Sequence, residues 1–352
     1  MAAEPSARSK AWAIFDQICA DAAPGGEHTN PWAQSNDGNI QYEPDFDVLE
    51  RLLGVPLYLD APTTSGVPAL ALDVWVSYEL RRAGFAPDAT WPRAKHPRIL
   101  PAAIANLLQA LKGKERQQLL ARLANPSPMK GVVSASANIL GKNYLKQVDV
   151  VMSDWDTGPE VLISTKRMDS SFGKNAANRV EESYGDAKNL RLRHPLAALG
   201  FVYGLRSTIL TEEPKKARWL IDLLQKLGRE DDAYHAVALI MIEYGAPTAP
   251  AADDAGDSTD NALIAAGLDP DDSEADDVDD VPTSAVDEAL ARLPRVNIRR
   301  DAVPDALQPS RFLDVMVRRV IDATPVDRHE NARLRLESPR SAHTTGYSPD
   351  PR

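Results

Sequence analysis

Asp149 and Lys166 are the residues whose types and placement most directly suggest chemistry. They belong to two β-branched runs, Gln147-Val-Asp-Val-Val-Met152 and Glu160-Val-Leu-Ile-Ser-Thr-Lys166, joined by Ser153-Asp-Trp-Asp-Thr-Gly-Pro159, whose Asp, Gly and Pro content reads as a hairpin connection. Alternate residues of a strand share a face, so Val148, Val150 and Met152 point to the core and Asp149 points the other way. On the partner strand Glu160, Leu162, Ser164 and Lys166 share a side, and there Lys166 could meet Asp149. Carboxylate oxygens suit a hard divalent cation, which lowers the pKa of bound water and stabilises charge developing on a phosphate. A lysine beside them could orient the water or neutralise the transition state. Glu160 shares the face of Lys166, but six strand residues at about 3.3 Å each put roughly 20 Å between them, so Glu160 reads as a solvated charge at the strand end.

Other chemistries lack their residues. Histidine clusters at metal-ligand spacing, a Gly-rich phosphate loop and a Gly-x-Ser-x-Gly elbow are all absent, so zinc hydrolysis, nucleotide binding and serine esterase chemistry have no support. Asp154 and Asp156 flank Trp155 without the Asp series and distal Glu of a calcium loop, and read as turn residues.

The elements that must position the hairpin follow from periodicity. Ala11 to Ala20, Asp47 to Leu53, Leu70 to Ala83 and Pro101 to Ala124 carry apolar residues at three- and four-residue spacing and read as helices. The last of them carries a stripe of Leu107, Leu108, Leu111, Leu119, Leu120 and Leu123, and Asn125-Pro-Ser-Pro ends it. From Gly131 the pattern changes to short β-branched runs, beginning at Val132-Val133. A helix is expected from about Lys174 to Arg191, stopped by His194-Pro195. Leu196 to Leu205 and Tyr234 to Tyr244 read as buried strands around a helix from Glu212 to Leu227, and Pro309 to Ile321 reads as an amphipathic helix packing back on the body.

An acid on one strand and a lysine at the end of its partner, on a mixed sheet flanked by helices, resembles the PD-(D/E)xK nuclease superfamily. Its members build a divalent-metal site for phosphodiester hydrolysis from an Asp and a second acid, with a Lys two residues beyond that acid. This chain has no Pro before Asp149, and Ser164 stands where the second acid belongs. Some restriction enzymes of the superfamily carry Ser-x-Lys on the strand and take the missing carboxylate from the next helix, and Ser164-Thr-Lys166 followed by Arg179-Val-Glu181-Glu182 is similar to that variant. With Ala177, Val180, Tyr184 and Ala187 as the apolar face, Glu181 lies about 80° from its middle and Glu182 nearly opposite, so Glu181 is the expected second acid; the alternative for it is an ion pair with Lys174 or Lys188.

Over about Gly131 to Tyr244 the resemblance implies an α/β (α+β) fold with a mixed central sheet and a restriction-endonuclease-like core. It implies catalysis by Asp149, Lys166, Glu181 and Ser164, with Asp149 and Glu181 holding Mg²⁺. The substrate it implies is double-stranded DNA, and restriction enzymes often act as homodimers. Lys174, Arg191 and Arg193, around the ends of the helix, could contact DNA phosphates. Trp91-Pro-Arg93-Ala-Lys95-His96-Pro-Arg98, next to Arg81-Arg82, interleaves basic and aromatic residues as nucleic-acid-contacting loops do, so Arg93, Lys95 and Arg98 are further candidates; the alternative is an exposed loop stiffened by Pro.

At 352 residues, 43% hydrophobic and 26% charged, the chain has the composition of a globular protein of roughly two domains, which excludes collagen-like, coiled-coil and wholly disordered classes. Cys19 is the single cysteine, so no internal disulfide or Cys-based zinc site can form, and a reducing cytoplasm is expected. Glu4 and Pro5 stand where an export signal would need positive and then apolar residues, and Ala236 to Ile242 is too short to span a membrane. The net charge of −11 is unevenly spread: Pro247 to Pro282 holds twelve acids and no Lys or Arg, and the remainder carries +1. That segment reads as a disordered insert, either a solubilising linker or a tether competing with DNA for a basic cleft. The expected organisation is a mainly helical part (1–125) assisting DNA recognition, a catalytic core (126–246), the insert (247–283), a C-terminal helical segment (284–338) and a flexible tail (339–352). The expected function is a divalent-metal-dependent DNA endonuclease of restriction type. The alternatives are a non-catalytic DNA-binding or assembly protein retaining the fold, and a scaffold acting through its acidic segment.

Overall fold

Local sequence starts the first three helices one to four residues before the apolar periodicity does. The computed structural model describes residues 4–123, 137–170, 172–245 and 281–341. Helix α1 (Ala7–Ala22) is capped by Ser6, whose Oγ accepts the Ser9 N–H at 3.0 Å. Strands β1 (Trp32–Gln34) and β2 (Ile40–Tyr42) precede α2 (Phe46–Tyr58), capped by Asp45 Oδ1 on the Val48 N–H at 3.1 Å. Gly66, with φ +69°, turns the chain into α3 (Val67–Arg82), which carries Pro68 in its first turn, where a missing N–H costs nothing. After β3 (Thr90–Trp91), the single helix expected over 101–124 is two, α4 (Ala102–Ala110) and α5 (Gly113–Leu123). The break falls at Leu111 and Lys112, where Leu111 turns extended (ψ 146°) and Gly113 enters α5 at φ +55°, and Leu107 and Leu120 of the leucine stripe are exposed.

The ribbon β4 (Asn138–Leu140) and β5 (Leu145–Gln147) leads into β6 (Val150–Asp154), β7 (Gly158–Met168), α6 (Phe172–Arg191), β8 (Ala198–Arg206), α7 (Ile209–Glu212), α8 (Pro214–Leu227) and β9 (Ala236–Tyr244). The chain continues through α9 (Thr283–Ala291), β10 (Val296–Ile298), α10 (Pro309–Ala323), α11 (Glu330–Glu337) and β11 (Arg340–Ser341). The central sheet is mixed, in the order β10-β9-β8-β7-β6-β3. Strands β6 and β7 form the expected antiparallel hairpin with Val150 opposite Ile163, while β7, β8 and β9 run parallel with Lys166, Tyr203 and Leu239 level. Parallel neighbours require crossovers, and crossovers of one hand stepping in one direction put α6 and α8 on the same face.

Both faces are therefore covered, and the strands read as nearly continuous apolar runs because successive residues enter different cores. Val161, Ile163, Val202 and Ala238 pack with α1, α2, α3 and α10. Leu162, Phe201, Tyr203 and Leu239 pack with α6 and α8. Helices α1 to α3 of the expected N-terminal part form one layer of the same fold. The C-terminal segment packs back as expected and adds β10 at the sheet edge, while Arg340 and Ser341, assigned to a flexible tail, pair in parallel with β1. Glu160, expected in solvent, is buried and meets His329 Nε2 at 2.9 Å. Val132, Val133 and the acidic run 247–280 lie outside the described residues. No helix among the described residues is long and apolar enough to cross a membrane.

Helix α10 can lie close to the sheet because Gly200 in β8 has no side chain: a Cβ there would stand 2.7 Å from Phe312 Cζ and 3.1 Å from Ile163 Cγ1. Gly200→Ala should cost about 1–3 kcal/mol through overpacking, measured by urea denaturation. Adding Phe312→Leu, which shortens the obstructing ring, should give a double variant more stable than the sum of the two single losses predicts. Strict additivity would contradict the close approach.

Candidate active site

The β6–β7 ladder stops at Val150, and the site forms where it stops. Beyond that point the Thr165 N–H has no backbone partner on β6, and Asp149 Oδ2 accepts it at 2.7 Å. Thr165 occupies the opposite face of β7 from Ser164 and Lys166, and its hydroxyl donates to Asp73 Oδ1 on α3. One residue thus joins two carboxylates, with Lys166 next in the chain and partly exposed.

Asp73 is the functional candidate that sequence reasoning missed. Burial, then the Asp149 charge, hold its carboxyl well above the usual carboxylate range, against the Thr165 hydrogen bond and the positive charges of Lys166 and Arg8. A buried acid needs compensation, and the second buried acid of α3 shows what structural compensation looks like. Glu79 accepts from Arg82 Nη1 at 3.1 Å, Tyr42 Oη at 2.9 Å and the Asp45 N–H at 2.6 Å. Asp73 instead faces another acid. The signal was one Asp in the otherwise apolar run Pro68-Ala-Leu-Ala-Leu-Asp-Val-Trp-Val76.

Glu181, the expected second acid, does not face the sheet. The buried stripe of α6 runs through Ala176, Val180, Ser183, Ala187 and Leu190, while Tyr184, placed on the apolar face from sequence, is exposed. At about 100° per residue Glu181 then lies about 160° from Ser183, pointing away from the sheet, and Glu182 lies about 100° from it; both are exposed. The acid that α6 turns inward is Asp186, already bound to Lys146 Nζ at 2.7 Å and to Tyr144 Oη at 3.0 Å. Burial and Asp186 push Tyr144 up to about 12. Ser164 is buried and hydrogen-bonds Tyr234, whose Oη donates to Ser183 O at 3.0 Å. Its hydroxyl links β7 to α6.

Two of the six expected DNA contacts, Arg93 and Arg98, are internal supports, as are the neighbouring Arg81 and Arg82. Arg93 donates to Asp88 Oδ1 at 2.9 Å and to Pro97 O at 2.8 Å. Arg98 pairs with Asp16 at 2.7 Å and lies 3.9 Å from the Trp12 ring centroid. Arg81 donates to Pro92 O at 3.0 Å, and Arg82 to Glu43 O at 2.7 Å. These four arginines are buried, whereas Lys95 and Arg193 are exposed. Arg191, at the end of α6, donates to Ala233 O at 3.2 Å. Lys174 falls in the first turn of α6, and its side chain lies outside the described residues.

Two carboxylates and a hydroxyl are hard oxygen donors, and a small divalent cation that keeps several waters needs one or two carboxylates from the protein. Asp149 and Asp73 fit that requirement. Among the described residues no group of three or more His, Cys, Asp or Glu forms a fuller cage.

Because Asp73 keeps its proton to a higher pH folded than unfolded, the folded state binds more protons, and this residue's contribution to stability falls as pH rises above about 4 until the folded pKa is passed. Asp73→Asn retains an acceptor for Thr165 and removes the titration. The variant should melt close to wild type at pH 4 and above it at pH 8, by about 1 kcal/mol or about 2–4 °C in calorimetry. A difference independent of pH would contradict the assignment.

No protein family matches the chain, and no curated protein or solved structure is significantly similar to it.

Proposed function

We propose that the chain is a divalent-metal-dependent endonuclease that hydrolyses DNA phosphodiester bonds, with Asp149, Asp73 and Lys166 at its centre. The observation that carries this reading is the meeting of two carboxylates at Thr165, one residue before Lys166, at the end of a hairpin in a mixed sheet. A bound Mg²⁺ would supply an activated water and neutralise charge on the phosphate. The Thr165 N–H fixes one oxygen of Asp149. The Thr165 hydroxyl fixes Asp73 in the same way from the opposite face. The Lys166 ammonium, on a strand paired with β8 through Met168, would bring a positive charge to the phosphate.

A second reading, a DNA-binding or assembly protein without catalysis, draws support from two observations. Asp73 sits deep and Glu181 faces away, and four arginines near the expected recognition loop are bound internally. Kinetics with supercoiled plasmid and Mg²⁺, with EDTA as control, separates the two.

Asp149→Asn, which keeps an acceptor for the Thr165 N–H, and Lys166→Ala should each lower cleavage by about 10³-fold or more with unchanged circular dichroism. Wild-type rates in either would refute the nuclease reading. Asp73→Asn should cost at least about 10²-fold while Glu181→Ala stays within about threefold of wild type. The reverse order would return the second acid to α6.

A further inference from the structure

Arg167 follows Lys166 on the part of β7 that has outrun one neighbour. From Ser164 to Met168 the strand pairs with β8 alone, because the β6 ladder ends with Val150 opposite Ile163. The Arg167 side chain is buried and, like that of Thr165, turns to the α3 face. Its Nη2 donates to Asp169 Oδ1 at 3.1 Å, and its Nε lies 2.8 Å from Asp169 Oδ2 as an ion pair, with the N–H not aimed along a hydrogen bond. Its Nη1 donates to Pro68 O, in the first turn of α3, at 3.3 Å. Helix α3 thus holds this stretch of β7 twice, through Asp73 at Thr165 and through Pro68 at Arg167.

The same network crosses the sheet. Gly204 of β8 is level with Arg167, and a Cβ there would stand 3.4 Å from Arg167 Cγ and 3.0 Å from Leu72 Cδ1, so the bare backbone gives the arginine stem room beneath α3. Beyond it Tyr244, at the end of β9, donates from Oη to Asp169 Oδ1 at 2.9 Å. Burial, then the Asp169 charge, push the phenol up to about 12, so it stays a donor at neutral pH. Arg206 Cζ lies 4.4 Å from the centroid of the same ring and packs it from β8. Exchange of a buried ion pair for packed apolar side chains is often neutral or stabilising, so stability alone gives no reason for one here. What the pair supplies is a fixed geometry next to Lys166.

We propose that Arg167 is a positioning residue for Lys166: clamped by Asp169, Tyr244 and Pro68, it fixes the one-sided end of β7 and holds the Lys166 ammonium at the Asp149–Asp73 centre. Freed from the clamp, this end of β7 keeps β8 as its backbone partner but loses its tie to β9 and one of its two ties to α3. A lysine on a loosened strand spends less time where charge develops, and a group that must be re-oriented during the reaction stabilises the transition state less. The hold of Arg167 on β7 stands by itself, whereas its effect on cleavage rests on the nuclease reading.

Amide hydrogen exchange by NMR and plasmid cleavage with Mg²⁺, both on the full-length protein, test the hold and its effect separately. In Arg167→Gln the Thr165 amide should exchange at least about tenfold faster, while those of Val151 and Leu162, in the paired part of the hairpin, stay within about twofold. Tyr244→Phe, which removes one hydroxyl and keeps the ring, should show the same local change at about threefold or more. Arg167→Lys, which keeps the charge and loses the fork, should fall between wild type and Arg167→Gln in both readouts. At saturating DNA, cleavage should drop at least about tenfold in Arg167→Gln, and the same substitution added to Lys166→Ala should cost less than about twofold more, because the lysine it positions is gone. Circular dichroism reports folding, and Tyr244→Phe decides if Arg167→Gln does not fold. Unchanged Thr165 exchange in a folded variant overturns the proposal, as does wild-type cleavage by folded Arg167→Gln or an equal further loss in the Lys166→Ala background. Local loss of protection in a protein whose wild type cleaves nothing keeps the hold on β7 and refutes the nuclease reading alone.

Discussion

Thr165 is where backbone, the helix layer of α3 and the candidate chemistry meet. Every buried backbone N–H needs an acceptor, and a strand that outruns its neighbour must find one elsewhere. Strand β7 outruns β6, and the carboxylate of Asp149 completes the ladder in place of a carbonyl. The same residue's hydroxyl reaches α3. Its position is set by the pairing of β7 with β8, parallel and in unbroken register from Val161 to Met168, so the carboxylate geometry rests on the sheet and not on a loop. Loss of register there would disperse the acids before it unfolded either core.

The placement of charge divides the molecule into supports and exceptions. Arg81, Arg82, Arg93 and Arg98 stitch α1, α3 and the loop after β3 together, each bound to a carbonyl or a carboxylate. Lys146 and Asp186 do the same between β5 and α6. Against that background Asp73 stands out, because a buried acid lies beside a second acid, Asp149, and like charges held in proximity raise the cost of ionising either.

Much of this was legible in the sequence. The hairpin, the helix ending at Arg191, the two buried strands and the helix ending at Leu227 follow from periodicity and turn residues, which are local. Asp149 and Lys166 were found for the same reason. Asp73 was not, because it lies on a helix 76 residues before Asp149 in the chain, and only the packing of α3 on the sheet brings them together. Glu181 was misplaced because Tyr184 was counted as core, which rotated the helix away from its true buried stripe through Ser183. Arg93 and Arg98 looked like a basic loop because their partners, Asp88 and Asp16, are recognisable only in three dimensions. Composition reports charge, whereas burial decides what the charge does.

The central claim is that Asp149 and Asp73 form one cation-binding centre at Thr165. Electron paramagnetic resonance of Mn²⁺ titrated into the resting protein tests it without any substrate. Saturable binding in wild type, lost in Asp149→Asn, weakened in Asp73→Asn and unchanged in Glu181→Gln, is the predicted pattern. Binding that survives both Asp substitutions, or disappears with Glu181, would contradict it.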